Sequence, residues 1–141
     1  MGAGAVMMAL GENLPPNVKC AVEDCGFARC QEENIGMAER FIGNSAKYIG
    51  LYLNGIVKIL RDYDMTDINP INCVRNAKIP VFFIHGDRDE IVPVENVYEL
   101  YDACPAPKEL LVVPGARHTM ASVDGYKDYF GRVFDFVGKY S

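Results

Sequence analysis

Several features are missing from this 141-residue sequence, and each absence closes off a class of function. There is no Lys/Arg-rich block, and 14 basic against 19 acidic residues leave a formal charge of -5. A nucleic-acid-binding face leaves a clustered basic footprint, so no nucleic acid is expected as a partner. No stretch approaches the roughly 18 apolar residues of a membrane span, so no membrane is expected either. The opening MGAGAVMMAL is small and apolar, but no basic residue precedes it, and Glu12 and Asn13 break it at once. It does not read as a secretory leader. Val6 stands where a myristoylated N-terminus wants Ser or Thr. A soluble, cytoplasmic chain is the expectation.

Close cysteine pairs are also lacking. Cys20, Cys25, Cys30, Cys73 and Cys104 are odd in number and contain no C-x-x-C. This pattern predicts reduced thiols rather than disulfides or a zinc site. The first three recur every five residues, a spacing that alternates faces on a strand, and no histidine is near them in sequence. They are read as buried, unliganded thiols, with no metal and no cofactor.

What is present is enough apolar material for one domain. Half the residues are hydrophobic and 23% are charged, far from a disordered composition. A helix is predicted from Ala3 to near Gly11, and a strand over Val18 to Asp24 after the Pro15-Pro16 turn. Residues 27–43 are amphipathic in places but interrupted by Gly36 and Gly43. Ser45 is a candidate cap for the next helix, in which Ile49, Tyr52, Leu53, Ile56, Val57 and Leu60 recur at helical spacing and are expected to be core. A short helix is predicted after Pro70. Ile79 to Ile84 (IPVFFI) is a continuous apolar run, the signature of a strand buried on both faces of a parallel sheet. A helix over Val94 to Ala103, a second such strand over Glu109 to Val113, and a closing helix over Asp124 to Tyr140 follow. Tyr126, Tyr129, Phe130, Val133, Phe136 and Val137 form that last helix's apolar stripe. Alternation of this kind implies an α/β fold of about three parallel strands flanked by helices. Three strands are few, and a bare apolar edge invites pairing, so the sheet reads as incomplete.

The chemistry concentrates in two places. FFIHGDRDEIVP, Phe82 to Pro93, runs from a buried strand into a polar turn, and open α/β sheets place their ligands at that end of their strands. ELLVVP runs likewise into GARHTM, bringing His118 to the same rim. HG-x-x-D-x-x-VP followed by a strand and PG-x-x-H resembles the C-terminal part of α/β-hydrolases. It is most similar to bacterial serine hydrolases of the prolyl-oligopeptidase and dienelactone-hydrolase type. The resemblance implies that Asp89 is the triad acid and His118 the base. In that family the order is Ser, acid, His, and the nucleophile elbow is G-x-S-x-G. Met1-Gly2-Ala3-Gly4 fits the residues just after such a serine, and Asp24 to Phe27 (DCGF) resembles the segment after the next strand. The resemblance therefore implies a nucleophile immediately before Met1, with the Met1 backbone N–H as one oxyanion-hole donor.

Simpler readings exist for each residue. Asp89 is also at home as a turn residue, and Asp87 is the competing acid, read here as a turn residue. His118 could be an ordinary loop histidine, and His85 is read as a strand-end packing or turn residue. Gly2 and Gly4 do not complete a nucleotide-binding fingerprint. Ser45 and Ser122 are the internal candidate nucleophiles, but neither sits in a strand–turn–helix elbow. As implied by the resemblance, the chain is a single partial domain, residues 1–141, with 27–67 as a candidate cap or lid. It is expected to belong to a serine hydrolase acting on a small-molecule or peptide acyl substrate (ester, thioester or amide), and to be inactive alone. The open sheet edge would pair with a missing N-terminal half or a second copy. The alternative is an inactive hydrolase-like protein serving as an association module.

Overall fold

A computed structural model describes residues 2–61 and 64–141, with the side chains of 31–34, 61, 65, 126 and 127 outside the description. The chain divides into two compact units, residues 1–28 with 70–141, and residues 29–69.

The first unit is built on three parallel strands in the order β1-β2-β3: Ala21–Asp24, Val81–Gly86 and Lys108–Val113. β2 is central, and all six of its residues are buried, as its unbroken apolar run requires. Its side chains alternate between two cores. Val81 and Phe83 face Met7, Leu10, Ile71, Val74, Val97 and Leu100, contributed by helix α1 (Gly2–Ala9) and the turn after it and by helices α4 (Pro70–Val74) and α5 (Glu95–Ala103). Phe82 and Ile84 face Ala121 and Phe136, from α6 (Ala121–Asp124) and α7 (Tyr126–Tyr140). The Phe82 and Phe136 rings meet at 5.3 Å between centroids. Full burial of such side chains contributes about 1.5–3 kcal/mol each, so the sheet and its two helical layers hold one another.

β1 starts at Ala21 rather than Val18, because Val18 N–H is drawn back to Pro15 O at 3.0 Å and the ladder begins where Ala21 meets Val81. α7 starts at Tyr126 instead of Asp124, which ends the separate short helix α6. Along α7, Tyr129, Val133, Phe136 and Tyr140 pack inward, while the Tyr126 side chain lies outside the described residues. At the end of α5, Lys108 Nζ donates to the carbonyls of Tyr101 and Cys104 at 2.7 and 2.9 Å, supplying a cation where the helix dipole is negative.

The second unit is a pair of helices, α2 (Cys30–Ile42) and α3 (Ser45–Arg61), followed by a 3-10 turn (Met65–Asp67). Gly36 does not interrupt α2. Gly43 ends it, at φ +59 where a side chain would be strained. Ser45 is the first residue of α3 and not its cap. The apolar stripe of α3 departs from expectation. Ala46 is buried and Gly50 lies close enough to Ile35 that a Cβ would stand 3.1 Å from its Cγ1. Ile49, Tyr52, Leu53 and Leu60 are instead exposed, with Tyr48 and Ile59 beside them, while Ile56 and Val57 are half-buried. Small residues allow the close approach, and the bulky face is left outward. Asp64 ties the C-terminal end of this unit together, accepting from Asn54 Nδ2, Lys58 Nζ and Thr66 Oγ1 at 3.0, 2.9 and 2.6 Å.

Candidate active site

The loops that follow β2 and β3 interlock. Gly86, the last residue of β2, is required there because a Cβ would collide with the Ala116 carbonyl. That carbonyl instead accepts from Arg88 N–H at 3.0 Å. Asp87 Oδ1 accepts from Gly115 N–H at 2.5 Å, and Gly115 turns with φ +79. These links bring residues 114–120 down onto the β2 loop.

Within that frame Asp89 is pinned. Its Oδ1 accepts from the Ile91 and Val92 amides, both at 2.9 Å. Oδ2 is therefore the oxygen left for the imidazole, and His118 Nδ1 lies 2.6 Å from it. Burial pushes the Asp89 carboxyl up, but hydrogen bonds from His118 and from the Val92 and Ile91 amides outweigh it, and the net direction is down. A short bond to an ionised carboxylate favours the Nδ1–H tautomer of His118, in which Nε2 carries the free lone pair. The His118 side chain is one-quarter exposed and that of Asp89 is fully enclosed, so the pair offers a partly exposed imidazole backed by an enclosed carboxylate.

His85, read from sequence as a strand-end packing or turn residue, lies directly against the acid. Its Nε2 lies 2.9 Å from Val92 O and 3.4 Å from Asp89 Oδ2. A carbonyl can only accept, so the ring proton is on Nε2. Nδ1 is buried without a hydrogen-bond partner. The available signal was a polar residue closing an apolar strand. Cys25 is the other neighbour that spacing along the chain concealed. One ligand-type atom each from Cys25, His85 and Asp89 lie within 4.8 Å of one another. Burial, then the hydrogen bond to Asp24, push the Cys25 thiol up to about 12, despite opposing backbone bonds from Thr119 and Gly86. A metal would have to displace that proton and compete for Asp89, so the group is better described as a hydrogen-bonded cluster than as a cation cage.

The remaining predicted residues fall as follows. Asp87 reaches Gly115. Met1 lies outside the described residues, while Gly2 opens α1 and the Phe27 ring rests on buried Gly4, where a Cβ would stand 3.0 Å from Cζ. Ser45 belongs to α3 and Ser122 to α6. A cavity of about 320 Å³ next to His118 is lined by Glu90, Ile91, Arg117 and Met120. A larger one, about 450 Å³, is at the opposite ends of the strands, among Leu10, Pro15, Val18 and Ile79, away from this chemistry.

Glu23 is a further buried acid on β1. Its Oε2 accepts from Gly26 N–H at 3.0 Å and its Oε1 has no partner. Burial raises its carboxyl to about 8 against the Gly26 bond, with nearby Asp24 adding to the rise.

Comparison with known proteins gives the family and the fold. Residues 2–141 match the prolyl oligopeptidase family. The uncharacterized protein YqkD of Bacillus subtilis is 24% identical over 138 residues, covering 97% of this chain and 45% of that protein. Human alpha/beta hydrolase domain-containing protein 17B is 33% identical over 69 residues, 49% of this chain and 23% of that one. Among solved structures, the Pyrococcus furiosus esterase Pf2001 superposes with TM-score 0.69 at 24% identity, covering 98% of this chain and 50% of that chain. The Pyrococcus horikoshii acylaminoacyl peptidase superposes with TM-score 0.64 at 15% identity, over 95% and 22%. The chain spans about half the length of YqkD and of the Pf2001 esterase. No helix among the described residues is long and apolar enough to cross a membrane.

Proposed function

Because the chain belongs to the prolyl oligopeptidase family of α/β-hydrolases, we propose that it carries the acid and base of a serine hydrolase that transfers an acyl group to water. The observation that carries this reading is the 2.6 Å contact between His118 Nδ1 and Asp89 Oδ2. A serine hydroxyl is a poor nucleophile until a base takes its proton, and His118 Nε2 is free of the acid for that role. Asp89 holds the tautomer and stabilises the imidazolium formed as the hydroxyl attacks the acyl carbon. His118 returns the proton to the departing alcohol, thiol or amine, and water then releases the acid by the same route. In this reading the serine immediately precedes Met1. The Met1 amide donates to the developing oxyanion, and a second donor comes from a loop further upstream. The cavity beside His118 is where a small-molecule or peptide acyl substrate, an ester, thioester or amide, would sit.

The test begins with the codons upstream of Met1 and the intact mass of the native polypeptide. A G-x-S directly before Met1, labelled by a fluorophosphonate probe and losing that label in His118→Ala, is the expected result. Upstream sequence without G-x-S defeats the reading. A chain that neither labels nor hydrolyses an activated ester, yet forms a stable dimer through the outer edge of β1, would be an association module instead.

A further inference from the structure

Among the described residues, the non-glycine positions with left-handed φ are Cys25 at 56° and Thr119 at 62°. Such conformations are costly for residues with a side chain and persist only where surrounding structure over-determines them. Thr119 is a β-branched residue, for which this region is least favourable. Although 94 positions apart, the two are joined: Thr119 N–H donates to Cys25 Sγ at 3.3 Å. Thr119 directly follows His118 in the chain.

Cys25 is in turn fixed to the sheet. Its N–H donates to Ile84 O at 3.0 Å, extending the β1–β2 ladder one residue beyond Asp24. Its S–H donates to Asp24 Oδ1 at 3.0 Å, and the same Asp24 carboxylate is hydrogen-bonded to Tyr129 of α7. The S–H direction is therefore set, which turns a sulfur lone pair toward Thr119. A continuous path runs from β2 through Cys25 to the residue after His118, while β2 itself leads into Asp89.

We propose that Cys25 is a positioning residue for His118, its sulfur holding the Thr119 amide so that the imidazole stays seated on Asp89. The inference rests on His118 being the base of the proposed hydrolase. The thiol, pushed up to about 12 mainly by burial, stays protonated and keeps its donor role across the neutral range. Cys25 needs no contact with substrate to matter, because loss of its bond would free a strained residue next to the base.

The test uses ¹⁵N-labelled chain, reading Thr119 amide exchange and the His118 imidazole proton resonance. In the unaltered chain a protected Thr119 amide and a downfield, slowly exchanging Nδ1–H are expected. Cys25→Gly removes the sulfur while tolerating the left-handed backbone, so the fold should survive. It should speed Thr119 exchange by roughly tenfold and broaden away the Nδ1–H resonance. Cys25→Ser, with an oxygen that can accept and donate in the same place, should restore both. Retention of both signals in a folded Cys25→Gly chain overturns the proposal. So does their loss in Cys25→Ser to the same degree, which would mean that sulfur volume alone matters. A Thr119 amide that exchanges freely in the unaltered chain overturns it without any variant. None of these readouts needs a nucleophile, so a chain that proves unable to hydrolyse esters leaves them intact and separates the two failures.

Discussion

The two units treat the same kind of residue in opposite ways. In the sheet unit, Phe82, Phe83, Ile84 and Phe136 are at most 1% exposed. In the helical unit, Phe41 is 84%, Tyr48 75%, Tyr52 71% and Ile59 85% exposed. Of fourteen large hydrophobic residues found exposed among the described ones, ten fall between Met37 and Leu60. One unit's stability is sheet against helix, with aromatic rings interdigitated. The other depends on the close approach of Gly50 to Ile35 and on the Asp64 hydrogen bonds near its end. The difference teaches that amphipathicity orders a helix's faces without deciding which face is covered.

The largest effect that would sharpen the contrast concerns the site on the sheet unit. In a polypeptide that includes the proposed upstream serine, Asp89→Asn should lower kcat/KM by about 10⁴, as expected when the base is left in the wrong tautomer. Activity within tenfold of the parent would remove Asp89 from the triad.

Core truncation comes next. Phe83→Ala should destabilise the sheet unit by about 3–5 kcal/mol in urea unfolding, whereas Leu53→Ala on the exposed face should change stability by no more than about 0.5 kcal/mol. Equal losses would mean that the α3 face is covered in solution and that the contrast between units is false.

A third effect concerns pH. Glu23 is raised to about 8 in the folded chain, so it holds its proton in a window where the unfolded chain has released it. The native state then binds more protons, and this group's contribution to stability falls as pH rises from near 4.5 to about 8, where it levels off. Asp89, shifted downward, acts in the other direction: its contribution is present above the ordinary carboxylate range and is lost as pH falls through the folded value. Glu23→Gln should remove the alkaline loss, gaining on the order of 3 kcal/mol at pH 8 relative to pH 5. Parallel stability–pH curves for the two proteins would contradict the assignment.

The smallest effect belongs to the helical unit. Asp64→Ala should speed amide exchange at Asn54 to Leu60, where the carboxylate gathers Asn54, Lys58 and Thr66, with no change around β2. Unchanged exchange there would leave the end of α3 held by something other than Asp64.

Much of this molecule could be read before any coordinates. IPVFFI announces a strand buried on both faces because no polar residue interrupts it, and β2 is buried along its full length. The strand–helix–strand order over residues 81–113 follows from apolar runs separated by an amphipathic segment, and the parallel β2–β3 pair is its outcome. The meeting of Asp89 with His118 was foreshadowed because both follow strands of one parallel sheet, although β3, expected to be buried on both faces like β2, lies at the edge of the described sheet with only Val113 fully buried. Boundaries were less legible. Val18 looks like a strand residue by type, but its amide is taken by the Pro15 turn.

Local sequence by itself determined the α/β alternation, the central strand and the polar loops at its carboxyl end, since each depends on the period and chemistry of neighbouring residues. Tertiary structure alone decided three further matters. It placed His85 against Asp89, joined Cys25 to Thr119 across 94 positions, and turned the bulky side of α3 outward. The physical reason is common to all three. Periodicity says which residues share a face, but burial, a hydrogen-bond partner and a shifted protonation state depend on what another part of the chain brings to that face.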